Sequence, residues 1–367
     1  MPGARTSDAI VIGGGAIGLS VAYELATRGL SVTLLERGEI GREASWAGAG
    51  VLPPASWYVD HPALDRLAMT AAPMHAELSQ RLRETTGVDD QYAACGAVYQ
   101  LTESNEAHVL GVLSRWRELG VAVGSGGADG RRVPQEAQVR NPRRLKALAA
   151  GCRMLGVHLA PGAEVTGFRR AGPRVAEVVT AAGPYAADAV VLAAGCWSPA
   201  LGEQLRVAAP GRPVRGQMLL LAPRGEPIDG IVHRHPFYAV ARRDGLVLVG
   251  ATVEEAGFDK STTEEGVAAL RRAAGQIAPA LADARVEAVW AGLRPASADA
   301  LPQIGPAPGI DNVWIASGHH RSGLQLSPPT AAIIAALVLG ESPPAAHAEF
   351  APARFAARGA APVRAAS

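Results

Sequence analysis

The amino-acid sequence predicts an α/β protein (α+β over its whole length) framed by a doubly wound, largely parallel sheet. Three observations carry that expectation. A β–turn–α–turn–β unit opens the chain, with glycines at the spacing such a unit needs. A second apolar run, Ala189 to Leu192, reads as a strand buried on both faces and ends in small residues, Ala193-Ala194-Gly195. At 367 residues, with 48% hydrophobic and 19% charged residues, the chain has material for one large domain or two ordinary ones and the composition of a folded protein.

In chain order, Asp8 to Ile12 form a short β-rich run, and Gly13, Gly15 and Gly18 follow in the G-x-G-x-x-G spacing. Ile17, Val21, Leu25 and Ala26 then recur at helical period as far as Gly29, a helix stop. The next apolar run, Ser31 to Leu35, ends at Glu36. Each part has a physical task. Gly13 permits the tight turn, Gly15 lets the backbone approach a pyrophosphate, and Gly18 lets helix and strand come together. The helix N-terminus offers free N–H groups and a positive dipole end. Glu36 can accept hydrogen bonds from ribose hydroxyls and would repel a 2′-phosphate, which argues against NADP.

The fingerprint alone does not choose between NAD and FAD; the segment after it favours FAD. Gly41 to Gly50 is a loop of small residues, where an NAD domain would enter another helix. Its exposed backbone N–H groups suit a pyrophosphate and a flavin edge. Apolar, stiff Val51-Leu52-Pro53-Pro54 follows. Asn141-Pro142 opens an amphipathic helix with Leu145, Leu148 and Ala149 on one face, and apolar stretches come at Val157 to Leu159 and at Glu164-Val165. Near the end, Asn312 to Ala316 leads into the glycine-bracketed turn Gly318 to Pro328 and then an Ala/Ile/Leu-rich helix.

A formal net charge of +1 supplies no global field for nucleic acid or an anionic membrane. The arginine pairs Arg131-Arg132, Arg143-Arg144, Arg242-Arg243 and Arg271-Arg272 are dispersed and are expected on solvated surface. The N-terminus lacks a signal-peptide pattern, and no run approaches the ~20 apolar residues of a membrane span. Cys95, Cys152 and Cys196 are odd in number and far apart, which fits buried free thiols in a cytoplasmic protein. His319 and His320 have no third ligand at a metal-site spacing, so no metal is expected.

Taken together, the fingerprint, GREASWAGAGVLPP, AAGCWSPAL, RRDGLVLVGATVEEAGFDK, GLRPASADALPQIGP and GHHRSGLQLSP resemble the flavin-dependent D-amino-acid oxidase superfamily, and within it the glycine oxidases of thiamine biosynthesis. The resemblance spans roughly Asp8 to Gly340. It implies a discontinuous FAD-binding domain (1–80, 141–210 and 295–345) and an antiparallel-sheet substrate domain (81–140 and 211–294), with 346–367 a loosely attached tail. It places Ala16, Ile17, Glu36, Arg37, Ala44, Ser45, Ala49, Gly50 and Val51 along the cofactor, and Val165 at its adenine end. It assigns Ala194, Gly195 and Trp197 to the same cofactor site. His319, His320, Arg321, Ser322, Gly323, Leu324 and Gln325 would wrap the flavin ring, with the helix beginning near Pro328 aimed at it. Arg294 would grip a substrate carboxylate with its bidentate fork, a structural ion pair being the competing role, and Tyr238 would help. The backbone carbonyl of Arg321 would meet the substrate amine. Trp46 is bulky for its loop and is expected to narrow the access route, and Ala239-Val240-Ala241 stands where relatives often carry proline.

The implied reaction moves hydride from Cα of glycine, sarcosine, D-alanine or D-proline to flavin N5, giving an imine and then an oxo acid and ammonia, with O2 reduced to H2O2. No acid–base set is evident in the sequence, so no catalytic side chain is nominated. No cysteine follows Cys196, so FAD is expected to be non-covalent. A homotetramer, a cytoplasmic location and delivery of the glycine imine to thiamine thiazole synthesis also follow from the resemblance. Two other readings remain open from the sequence: a D-amino-acid dehydrogenase passing electrons to a quinone, and a non-catalytic flavoprotein subunit.

Overall fold

The computed structural model describes residues 4–127, 130–345 and 347–356. Two large sheets dominate it. The first runs 303–306, 313–317, 183–192, 5–12, 32–36, 158–161 in spatial order, all parallel except for the antiparallel edge pair Gln303–Pro306 and Val313–Ser317. A hairpin of Val165–Ala171 and Arg174–Thr180 extends antiparallel from Gly183–Leu192. The unbroken apolar runs now have their reason. Ala9 and Val11 enter one core beside the helices Ala16–Thr27, Asn141–Met154 and Ser327–Val338, while Ile10 and Ile12 enter a second core on the opposite face. Ala189, Val191 and Ala193 divide from Val190 and Leu192 in the same way. A strand covered on both faces cannot alternate with polar residues.

The second sheet is ordered 285–297, 211–222, 247–250, 237–241, 231–234, 97–100, 130–133, 124–125. One face carries Leu219, Leu221, Ala239 and Val249 against Leu270, Ala274 and Ile277 of the helix Glu264–Ile277. Thr263 caps that helix, its side chain accepting from Gly266 N at 3.1 Å, with Glu264 and Glu265 in the first turn. The other face carries Met218, Val240 and Leu248 in a core with Trp57, Leu113 and Trp116. This sheet is not wholly antiparallel as expected, because Ile231–Arg234 and Ala97–Gln100 pair in parallel.

The strands of the first sheet all fall within 1–80, 141–210 and 295–345. Those of the second fall within 81–140 and 211–294, apart from the last residues of Arg285–Ser297, and the helix Pro62–Thr86 runs across the 80/81 boundary. Three local expectations change. The loop of small residues contains a single helical turn, Ala44–Ala47. Arg144 and Arg242 are not solvated: Arg144 is fully buried on Asp90, His75 and Ser79, and Arg242 reaches the Ala49 carbonyl at 2.5 Å. Burial pushes the Arg242 guanidinium down to about 10. The tail is fixed where it is described: Phe350 is fully buried and Arg354 pairs with Asp299 at 2.8 Å. Residues 346 and 357–367 of that predicted tail lie outside the described residues. No described helix is long and apolar enough to cross a membrane.

Candidate active site

The carboxyl ends of Arg5–Ile12, Val32–Glu36 and Gly183–Leu192 open into a cavity of about 360 Å³ that the second sheet roofs over. The glycine turn is shaped by contact as much as by curvature. A Cβ on Gly13, whose φ is +112°, would stand 2.4 Å from the Ala193 carbonyl, and one on Gly18 would stand 1.9 Å from the Gly13 carbonyl. The turn is therefore wedged between the helix Ala16–Thr27 and the end of the neighbouring strand. Ser45 Oγ accepts from Ala16 N at 2.9 Å and so covers one of the free helix N–H groups. Glu36 takes the Gly14 and Gly38 amides at 2.7 and 2.9 Å, one on each oxygen. Each oxygen keeps a further lone pair for a ligand.

Arg37 lies over the Trp197 ring at 3.5 Å and pairs with Glu43 at 3.1 Å, forming a wall beside the turn. Asn141 donates to the Ser45 carbonyl at 2.8 Å, while its Oδ1, buried and unpartnered among the described residues, belongs to a cavity-lining side chain. His320 Nε2 is in the same condition. Buried polar atoms without partners are costly, so a polar ligand at this cavity would satisfy them.

The roof supplies the second half. Met218 is opposite Gly250, Gly250 opposite Tyr238, Tyr238 opposite His233, and His233 opposite Tyr99, a straight row across five strands. Arg294 approaches from Arg285–Ser297 and lies against Gly216, where a Cβ would stand 2.1 Å from its Nη2. Its Nη1 donates to the carbonyls of Thr252 at 3.0 Å and Arg215 at 3.3 Å. No described carboxylate pairs with it, and burial holds its pKa below the usual arginine value. The competing role as a structural ion pair is therefore absent among the described residues. Tyr238 Oη makes only a 3.9 Å contact to Met218 Sδ, and burial raises its pKa. Arg321 covers the Tyr58 ring at 3.9 Å. His319 bonds Thr330 Oγ1 through Nε2 at 3.1 Å, and burial holds both it and His320 down to about 3.

Most of the residues anticipated from sequence line this one cavity, Arg294, Tyr238 and Arg321 among them. Gly18, Ala49 and Ser322 do not. Gly18 lies behind the turn, Ala49 turns its carbonyl to Arg242, and Ser322 closes its turn by donating its N–H to the His319 carbonyl at 2.9 Å. Trp46 is not among the residues that line the cavity: it packs on Trp290 at 5.5 Å, where Trp290 Nε1 also reaches the Ala47 carbonyl at 3.0 Å. Asn141, Trp57, Tyr58, Tyr99, Gly216, Met218, His233 and Gly292 line the cavity without having been anticipated. Only Asn141 carried a local signal, as the residue opening a helix.

A glycine turn wedged under a parallel sheet, roofed by a second sheet that brings a lone guanidinium, defines a flavoprotein of the oxidoreductase class. The chain belongs to the DAO family of FAD dependent oxidoreductases, whose model matches residues 8–337. FAD is accordingly its cofactor, and the wedged glycines and the unpartnered Asn141 Oδ1 and His320 Nε2 fit an extended dinucleotide. The chain is 40% identical to the glycine oxidase of Pseudomonas aeruginosa over 361 residues, covering 94% of this chain and 98% of that one. It is 35% identical to the bifunctional protein ThiO/ThiG of Synechocystis, covering 95% of this chain and 54% of that protein. Among solved structures it is similar to glycine oxidase from Geobacillus kaustophilus, with a TM-score of 0.91 and 29% identity, covering 95% and 99% of the two chains.

Proposed function

We propose that this protein oxidises glycine or a similarly small amino acid, such as sarcosine, D-alanine or D-proline, with O2 as the electron acceptor. The observation that carries the reading is Arg294. Its guanidinium reaches the cavity with Nη1 held by two carbonyls, while Nε and Nη2 have no partner among the described residues. That half of the fork is free for a planar carboxylate. Tyr238 Oη, without a strong partner, would add a second donor, and the Arg321 carbonyl would take the amine. Gly216 and Gly292 leave part of the roof without side chains, while Trp57, Tyr58, Tyr99 and Met218 limit the remaining space.

Bound FAD would supply the hydride acceptor, with dioxygen the final electron acceptor and H2O2 the product. The chain's own residues orient Cα and exclude water. The cofactor would be held without a covalent bond. Cys196 borders the cavity, but burial pushes its thiol to about 12 and its Sγ lies 3.2 Å from the Leu293 carbonyl, so the reactive thiolate is disfavoured. The two-domain division at the boundaries given above, a homotetramer, a cytoplasmic site and supply of the glycine imine to thiamine thiazole synthesis belong to the same proposal. Similarity to glycine oxidase and to ThiO/ThiG supports the last of these.

The test is anaerobic addition of glycine to the yellow holoenzyme. Bleaching of the visible flavin band, with colour restored by air and peroxide formed, is the expected result. Bleaching only by sarcosine or a D-amino acid would move the substrate. Bleaching reversed by a quinone but not by air would overturn the acceptor, and no bleaching by any small amine would overturn the oxidase.

A further inference from the structure

Glu136 lies in the turn between Gly130–Val133 and Ala137–Gln138 and is fully buried. Tyr99 Oη approaches its Oε2 at 2.6 Å, and His233 Nε2 approaches its Oε1 at 2.7 Å. An ionised carboxylate only accepts, so both the phenol and the imidazole Nε2–H donate. In a neutral His233 ring this leaves Nδ1 as the nitrogen with the lone pair. Nδ1 has no hydrogen-bond partner among the described residues and is not among the sealed, unpartnered atoms. The His233 side chain retains 11% exposure and borders the cavity. Its plane is fixed: Tyr99 stacks on it at 4.3 Å and 12°, and Trp57 lies at 5.9 Å and 21°. It also sits one strand from Tyr238, directly opposite in register, with ring centroids 6.1 Å apart.

An amino acid enters as an ammonium zwitterion, whereas loss of hydride from Cα needs the lone pair of a neutral amine. The ammonium proton therefore needs a destination near the carboxylate-binding groups. The neighbouring imidazoles serve poorly: burial above all holds His319 and His320 to about 3 and His235 to about 4. His233 alone among these four rings has a buried carboxylate behind it.

Building on the oxidase reading, we propose that His233 Nδ1 accepts the proton of the substrate ammonium, with Glu136 as its positioning residue. The substrate N–H bond breaks, its electron pair stays on nitrogen, and the proton makes His233 an imidazolium balanced by the Glu136 carboxylate. The other titratable or charged groups around the ring are Tyr99 and Tyr238 on the flanking strands, His235 on its own strand, His108 from the helix Glu106–Glu118, and Tyr58 and Arg321 at the cavity.

The test compares His233→Gln with the wild-type holoenzyme. The rate of anaerobic flavin reduction is followed against pH with glycine and with N-(cyanomethyl)glycine, whose weakly basic amine is already neutral at pH 7. The expected result is a loss of about 100-fold with glycine at neutral pH, recovered as pH rises, with little loss for the weakly basic amine. Binding of glycolate, which has no amine, stays near wild type. Equal losses with both amines, or no loss with glycine, would overturn the proposal. If His233→Gln does not retain flavin, Glu136→Gln carries the same comparison, and it should also move the acid limb of kcat/KM to lower pH. A wild-type enzyme that no small amine reduces would instead count against the oxidase reading.

Discussion

Replacing Gly216 by alanine tests the carboxylate grip through a residue that has no side chain to offer a substrate. The new methyl would stand 2.1 Å from Arg294 Nη2 and 2.3 Å from Cζ and Nη1. Such approaches cannot be accommodated, so something moves. The strand is pinned by its register on both sides, whereas the guanidinium is the end of a flexible side chain. Arg294 therefore swings away from the Thr252 and Arg215 carbonyls, and the fold survives. A hydrogen bond to a charged group contributes about 1.5–3 kcal/mol. With tenfold per 1.4 kcal/mol, affinity for glycolate should fall about 10- to 100-fold. The assay is titration of the visible flavin band, with a denaturation midpoint as the control for folding. Arg294→Ala supplies the decisive background: there the alanine at 216 has nothing to displace and should cost no further affinity. Wild-type binding by Gly216→Ala, or the same loss in both backgrounds, would refute the reasoning.

Stability should decline with acid in a defined window. The native pKa of His75 and of His319 is held to about 3 by burial, with Arg144 adding to the effect at His75, against 6.5 in the unfolded chain. Above 6.5 both states are unprotonated; between 6.5 and about 3 only the unfolded state binds the proton. The unfolding free energy should thus fall by about 1.4 kcal/mol per pH unit for each ring, as urea titrations at stepped pH would read, and a flat profile would contradict the assignment. The fingerprint glycines should also differ in tolerance. An alanine at 18 meets the Gly13 carbonyl at 1.9 Å, a backbone atom with no escape, while one at 15 meets only Ser45 Oγ at 3.1 Å. Gly18→Ala should lose flavin and soluble yield, and Gly15→Ala should fold with weakened flavin retention; the flavin-to-protein absorbance ratio would expose the reverse order.

The two halves of the site were not equally legible, and the difference is one of locality. The pyrophosphate turn is made by backbone, and the demands on Gly13, Gly15, Gly18 and Glu36 fall within 24 consecutive residues. The spacing alone exposes them. Even there, contact partners were hidden: Gly13 and Gly18 are tightest against Ala193 and against each other, because a strand that begins 170 residues after Gly13 closes the turn. The exceptional burial of Arg144 was likewise hidden, since Asp90 and His75 come from 54 and 69 residues away.

The substrate wall is the opposite case. Met218, Tyr238, His233 and Tyr99 line the cavity, and the row they form with Gly250 exists only through the order in which the five strands are laid side by side. A shift of one residue in any of those registers would turn its member to the far face, where Leu219, Ala239 and Val249 now pack on the helix Glu264–Ile277. Resemblance could point to Arg294, within GLRPASADALPQIGP, and to Tyr238. It could not supply His233, whose significance comes from Glu136, a carboxylate 97 residues earlier that the parallel pairing of Ile231–Arg234 with Ala97–Gln100 brings within 2.7 Å. The one departure of the roof from an antiparallel sheet is therefore also what assembles the only carboxylate–imidazole pair among the described residues, and its imidazole borders the cavity.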